Sequence, residues 1–509
     1  MSDFPLVQVL EALSSHDNAT RKSAEEYFQS QLEQNAMAIV QSLLALLSNT
    51  DAPLQLRSFS GVLMRRAIEK SNFGAELDAQ LRTALIQIWK AERDPTLLKR
   101  LSHVMAQSAV KKDSPWMDLV PQVVDFVAAQ HQSGAEQGAV TAIVVPTLFL
   151  IEVLSEYCPG TIFANLQTLG ALLASLLVSP DSAIQAACAR TTSACIVSLE
   201  DDNARNAFKP ALQPIINILG EILSRGDEAE ATSIMEYLVT IAAEQPTFFK
   251  ASMDSVVAAM LMVAKAESLD FPTRSIALEL MVTLTETAPA LARRCAGLVD
   301  GLVPLAMSLM LDVEEEEGEW MRGKYMDEPE DENFFVGEEA IERAASGMGG
   351  RVVAPPLFVI AQQYAANNEW TARRAAISGI CRLAEGSPQP FKSHISSALQ
   401  LIRTVLIDPS QRVRYQAVET IGRFAVLFPS HVPEMVAQFV PTLTAMMQEG
   451  SICERVRGHI AAALINLTDP EHCDASVLQS HLDPLLRSLS VCLQAASLEV
   501  KPFCLDLLG

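Results

Sequence analysis

Apolar positions along the chain recur in steps of 3, 4 and 3, and the stretch that carries them returns about every 42 residues. Each copy starts at a turn followed by a basic residue: Arg21, Arg57, Lys99, Arg274, Arg373, Arg414 and Arg457, with Gln185 standing in once. Counted from the anchor, the third, seventh and tenth positions are small or apolar. They read Ser60, Met64, Ala67; Ser102, Ala106, Ala109; Cys188, Thr192, Cys195; Ala277, Met281, Leu284; Ala376, Ile380, Leu383; Ala417, Ile421, Phe424; and Ile460, Leu464, Leu467. Each helical residue advances by about 100°, so these steps keep one stripe on one face. A helix with one buried stripe, repeated at a fixed period, predicts a solenoid.

Each period holds two predicted helices, a first before the turn and a second carrying the anchor. Leu6 to Leu13 pairs with Asn18 to Leu32, Ala36 to Leu47 with 53–69, and 75–89 with 94–110. Later first helices are expected at Leu166 to Leu177, 211–223, 256–264, Leu298 to Leu311, 356–364, Ile395 to Leu406 and 436–447. Asp or Pro stands where helices should begin, as at Asp51, Asp94, Asp181, Asp270 and Asp408. Eleven repeats fit, and a twelfth ends with the chain. The expected fold is therefore all-α, a right-handed α-solenoid of about 11–12 paired repeats. Its regions are 1–135, 136–311, an insertion at 312–339, and 340–509.

Composition agrees with stacked helices. Of 509 residues 49% are hydrophobic but only 6% aromatic, which suits many small cores rather than one large one. The longest stretch without charge, Tyr157 to Pro180, contains Pro159, Gly160 and Asn165, and reads as a buried repeat helix rather than a membrane span. The opening Met-Ser-Asp-Phe-Pro carries an acid where an export signal carries basic residues. Nine cysteines are scattered with no CxxC pair. That pattern predicts a reduced, soluble, intracellular chain without disulfides or a metal site.

Formal net charge is −23, which argues against direct nucleic-acid binding and points to basic partners. Nearly half of it comes from 312–339, where 13 acids, including Glu314 to Glu317 and Glu319, face only Arg322 and Lys324. Such a run is expected to protrude as a mobile loop. It reads either as a solvated insertion or as an electrostatic arm for a basic partner. No nucleophile–base pattern emerges. The eight His residues do not pair with Cys or acids at ligand spacing, and Gly347 to Gly350 lacks the Lys-Ser/Thr of a phosphate loop and reads as a helix end. No cofactor is expected.

Four stretches carry a resemblance: RKSAEEYFQSQL (21–32) with LQLRSFSGVLMRRAIEK (54–70), the acidic run with GEEAIERAASGMGGRVVAPP (337–356), NEWTARRAAISGICRLAEG (368–386), and ERVRGHIAAALINLTDP (454–470). In order and spacing the chain resembles the importin-β superfamily of nuclear transport receptors, whose units are HEAT repeats, and most closely its importin beta-3 or importin-5 type. The resemblance covers the whole chain but only the amino-terminal half of those receptors. It implies a carrier that shuttles between cytoplasm and nucleus and takes basic nuclear-localisation-signal cargo on the concave surface. Ran-GTP would release the cargo, and Phe-Gly nucleoporins would bind apolar grooves between first helices. A HEAT scaffold, or a cargo chaperone without Ran-dependent transport, is the alternative.

Positions 9 and 12 after the anchor lie 120° or more from the stripe and are the expected contact sites. Position 12 reads Glu286, Glu385 and Asp469, broken by Val426 where the family carries a carboxylate; position 9 includes Arg66 and Asn466. Glu286, Trp370, Glu385, Asn466 and Asp469 are thus the candidate cargo contacts, Trp370 reading equally as a plug between repeats. By the resemblance, Ran would meet Arg57, Arg65, Arg66, Lys99 and Arg100, and also Glu314, Glu315, Glu316 and Glu317. The anchors, Arg57 among them, have a second reading as internal partners of turn carboxylates.

Overall fold

The computed structural model describes residues 6–70, 75–110, 116–132, 136–295, 297–323, 331–495 and 500–506. The opening pentapeptide and the expected insertion residues Lys324, Asp327, Glu328 and Glu330 lie outside them. Helices form all the regular structure of the described residues, with no strand. They group into two compact units, Met1–Ile241 and Ala242–Gly509.

In the first unit α1 (Leu6–Leu13) packs on α2 (Asn18–Ser48), followed by α3 (Leu54–Lys70), α4 (Ala75–Ala91), α5 (Pro95–Ala109), α6 (Leu119–Gln132), α7 (Gln137–Tyr157), α8 (Leu166–Leu176), α9 (Ser182–Ser198), α10 (Leu212–Ser224) and α11 (Glu228–Glu244). In the second are α12 (Met253–Lys265), α13 (Phe271–Thr287), α14 (Leu298–Leu309), α15 (Glu332–Met348), α16 (Gly350–Ala365) and α17 (Trp370–Gly386). They continue as α18 (Ile395–Val405), α19 (Gln411–Leu427), α20 (Val432–Gln448), α21 (Glu454–Thr468), α22 (Leu482–Ala495) and α23 (Lys501–Asp506). The helices pair as hairpins, twelve in all among the described residues, the last with a second helix of only 6 residues. The two helices expected across 18–47 meet within α2 at Asn35, whose φ of −153° and ψ of 66° are not helical and whose side chain accepts from Ala38 N. α16 starts earlier than the 356–364 expected and carries Pro355 and Pro356 inside.

The stripe is the core. All seven triplets are buried, none more than 4% exposed. Second helices pack on second helices, α13 on α15, α15 on α17, α17 on α19 and α19 on α21, and first helices do likewise, as in α20 on α22. Two glycines set how closely they approach. A Cβ at Gly347 would lie 2.3 Å from the Thr285 carbonyl oxygen, and one at Gly386 2.2 Å from that of Glu342. No larger residue fits between these backbones. α15 ends beside the expected Gly run, with Gly349 at φ +89°. α7 is by length and composition apolar enough to cross a membrane, and here packs between α5 and α9.

Turn chemistry follows the sequence. Asp94 accepts from Leu97 N, and Asp181 from Ala183 N and Ile184 N. Asp408 instead accepts from Ser410 N, and Ser410 caps α19. The anchors form a ladder. Arg57, Arg274 and Arg457 each donate to the carbonyl ten residues back, that of Leu47, Ala264 and Met447. Arg57, Arg373 and Arg414 each meet a carboxylate 35 residues on: Glu92 at 2.5 Å, Asp408 at 2.6 Å and Glu449 at 3.0 Å. Helix-end carbonyls that a bare backbone would leave open are thereby filled by the anchor of the same hairpin, and the carboxylates tie it to the next one.

The insertion corrects an expectation. Its described residues do not stand out as a loop, because Trp320 is buried at 2% exposure, edge-on to Tyr415 at 5.2 Å. The Arg412 and Arg455 guanidiniums lie 5.4 and 5.2 Å from the Trp320 ring centre. The Glu317 carboxylate accepts from Ser410 Oγ (2.6 Å) and Gln411 N (2.7 Å) at the start of α19, and Arg412 donates to the Glu315 carbonyl (2.7 Å). Asp331 receives both Arg374 (2.9 Å) and Arg412. Aromatic and arginine side chains thus hold Glu315, Glu317, Trp320 and Asp331 against the fold, while Asp312, Glu314, Glu316 and Glu319 stay exposed. From Glu332 onward the same segment is helix α15.

Candidate functional site

In the second unit the second helices are tied by a lattice of alternating charge. Arg343 on α15 reaches back to α13, meeting Glu279 (Nη1–Oε2 2.7 Å) and Glu286 (Nη2–Oε2 2.7 Å). Arg382 on α17 meets Glu338 at 3.1 Å and Glu342 at 3.7 Å on α15, and Glu385 on its own helix at 2.7 Å. Arg423 on α19 meets the other oxygen of Glu385 at 3.2 Å and its own Glu419 at 3.8 Å. Within the α15–α17–α19 group four carboxylates therefore share two guanidiniums. Burial, then the nearby Glu385 carboxylate, raises the Glu342 pKa; burial, then Glu338, raises that of Glu419. In both, burial is the larger cause and the neighbouring carboxylate adds to it.

Beside this group lies a recess of about 140 Å³ between α19 and α21, lined by Glu419, Gly422, Arg423, His459, Ala463 and Asn466. The Asn466 amide donates to the Gly422 carbonyl at 3.2 Å, which holds it at the recess wall. His459 lies against Tyr415, ring centres 4.1 Å apart, and burial, then Arg423, pushes its pKa down to about 4.

The candidates expected along one row divide in three. Glu385 and Asn466 come together, through Arg423, around the recess. Glu286 belongs to the separate Arg343 clamp. Asp469 ends α21 and accepts from Glu471 N in the turn. Trp370 begins α17 half-buried, its ring 5.3 Å from the Arg412 guanidinium, in the cluster that holds Trp320. Val426 is 62% exposed, an apolar interruption of the acidic row. The sequence reading missed Arg343, Arg382 and Arg423, although Arg382 and Arg423 occupy the ninth position after Arg373 and Arg414. That signal was present, but ion pairs between helices about 40 residues apart cannot be read from one helix face.

In the first unit Arg66, Lys99 and Arg100 are exposed on α3 and α5, while Arg57 is buried in the ladder. Arg65 is half-buried, donating to the Tyr157 hydroxyl at 3.2 Å and lying over its ring. Lys99 sits 5.5 Å over Phe149. Of the acids expected to contact Ran, Glu314 and Glu316 are exposed, Glu317 caps α19, and Glu315 is half-buried. A second recess of about 220 Å³ lies between α8 and α10, with Leu173, Val178, Phe208 and Pro214 in its wall.

Three repeat families match successive stretches: IPO5-like TPR repeats at residues 153–259, the importin repeat at 266–355 and a HEAT-like repeat at 370–424. Importin subunit beta-3 of Saccharomyces cerevisiae is 25% identical over 517 residues, covering 97% of this chain and 46% of the relative. A probable importin-5 homolog of Dictyostelium discoideum is 21% identical over 417 residues, covering 79% and 38%. The crystal structure of Kap121p shares the fold with a TM-score of 0.84 at 24% identity, over 99% of this chain and 48% of that one. The chain thus spans about half the length of the relatives it matches. Stacked hairpins with a buried stripe, an arginine ladder and matching repeat families together make this chain a HEAT-repeat solenoid of importin-β family repeats, homologous to importin beta-3 and importin-5 proteins.

Proposed function

We propose that the chain is a nuclear transport receptor that takes basic, localisation-signal-type segments on the second-helix layer of its second unit and releases them to Ran-GTP. The observation that carries the reading is the group of Glu338, Glu342, Glu385 and Glu419 around only Arg382 and Arg423, beside a recess walled by Asn466. A Lys or Arg side chain supplies the missing charge, and Asn466 and the Ala463 wall suit its amide and methylene contacts. Crystal structures of Kap121p bound to RanGTP, to Pho4p and to Nup53p agree with such a receptor.

Ran would meet the exposed Arg66, Lys99 and Arg100, and the acids Glu314 and Glu316. Because Glu317 of that acidic segment caps α19, a partner drawing on it would disturb the helix that carries Arg423 and Glu419. Phe-Gly nucleoporins would use the apolar recess between α8 and α10. Shuttling between cytoplasm and nucleus follows from this reading.

The test is a titration of a fluorescent Lys/Arg-rich peptide, then of Ran-GTP into the complex. Binding that weakens at least about tenfold in Glu385→Lys, with release by Ran-GTP, supports the receptor. Binding indifferent to Ran-GTP points to a chaperone, and no binding overturns the reading.

A further inference from the structure

The last hairpin holds a feature that transport does not use. Cys492 on α22 and Cys504 on α23 are fully buried, and the Cys504 thiol points at the Cys492 sulfur across 3.1 Å. The thiols of Cys158 and Cys188 instead approach carbonyl oxygens, those of Ala106 and Leu173. A pair of sulfurs in contact across a 12-residue separation is placed for covalent closure. We propose that Cys492 and Cys504 are a modification site, a reversible disulfide formed by hydrogen peroxide that staples the last hairpin.

The groups around the pair assign the roles. The Cys504 thiol donates to Cys492 and, with the neighbouring Arg457 guanidinium, favours thiolate at Cys492, whose pKa lies below the ordinary value. Burial pushes Cys158 up to about 11 and Cys188 and Cys295 up to about 12, which keeps those thiols inert. In the first step the Cys492 thiolate attacks one peroxide oxygen, the O–O bond breaks, and hydroxide leaves to take up a proton as water. Cys492 is then a sulfenic acid. In the second step the Cys504 sulfur attacks Cys492 Sγ, the S–O bond breaks, and the departing hydroxide takes the Cys504 proton as a second water. The two sulfurs together lose two electrons, which the peroxide gains. Access comes from local opening of the hairpin, in which α23 packs on α21 and α22.

The consequence lies next to the candidate site. α23 packs on α21, the helix that carries His459 and Asn466, so closure ties α22 through α23 to that wall. The 509-residue chain treated with hydrogen peroxide, alkylated and digested is expected to yield a linked peptide pair containing Cys492 and Cys504, lost on dithiothreitol treatment. In Cys504→Ser, dimedone should trap sulfenic acid at Cys492. In Cys492→Ser no label should appear at Cys504. Amide exchange in Leu482–Ala495 is expected to slow by about a hundredfold after oxidation, since closing a loop of this length restricts the opened state. A dose that oxidises the half-exposed Cys453 without linking Cys492 to Cys504 would overturn the proposal.

Discussion

The Arg423 guanidinium stands 3.2 Å from the Glu385 carboxylate and is 52% exposed, so the acid row that would hold a basic segment already holds a cation of its own. Removing that cation leaves Glu385 with Arg382 alone and raises the local negative charge. In Arg423→Gln the affinity for a Lys/Arg-rich peptide is expected to rise about three- to tenfold at low salt, with the gain shrinking as salt is added. Fluorescence anisotropy against ionic strength measures it. Weaker binding in this variant would show that Arg423 shapes the site rather than competing for it.

The ladder predicts stability in the same way. Arg373 lies across from Asp408 with two bonds, Nε to Oδ2 at 2.6 Å and Nη2 to Oδ1 at 2.9 Å, and Asp408 is almost wholly buried. Arg373→Met strands that carboxylate and is expected to cost about 3 kcal/mol by chemical denaturation. Arg373→Met combined with Asp408→Asn should cost less than the sum of the two single changes. An additive double variant would show that the two side chains do not depend on each other.

These two cases mark what the sequence alone could tell. The stripe at positions 3, 7 and 10 depends on local helical geometry, so its triplets were legible and are buried throughout. The anchors carried two readings, and Arg57, Arg373 and Arg414 are seen bonding within the fold. Glu385 and Asn466 were legible as facing away from the stripe, but their neighbours Arg423 and Glu419 were not, because their meeting depends on how closely α17, α19 and α21 approach. Gly422, whose Cβ would lie 3.4 Å from Ala463 Cα, faces α21 at that approach. The insertion misled the reading for a different reason. Charge density argued for solvent, whereas Trp320, Arg412 and Arg455 lie far apart in sequence and only the fold brings them together.

Trp320 gives that finding a test. Its ring fills a slot between Arg412 and Arg455 and against Tyr415, and it anchors the segment whose Glu317 caps α19. Trp320→Ala is expected to cost on the order of 3 kcal/mol locally. Hydrogen exchange should speed up in Glu317–Arg322 and in the first turn of α19, while α3 and α5 in the first unit stay unchanged. Exchange unaltered at Gln411 to Val413 would mean that the capping does not depend on the Trp anchor.

His459 sets the pH behaviour of the site. Burial and the Arg423 charge hold its folded pKa near 4, against about 6.5 in an unfolded chain. Between these values the unfolded state binds a proton that the folded state refuses, so stability rises with pH across this window. The contribution is fully present above about pH 6.5 and lost as pH falls toward 4, at most about 3 kcal/mol. Glu342 and Glu419 act in the opposite sense, because a raised carboxyl pKa lets the folded state bind the extra proton as pH falls. The His459 share is therefore isolated by difference. His459→Phe keeps a ring against Tyr415 and should flatten the rise of the urea midpoint between pH 4.5 and 6.5 without changing it at pH 8. Equal slopes in the wild type and this variant would rule out His459 as the group that titrates.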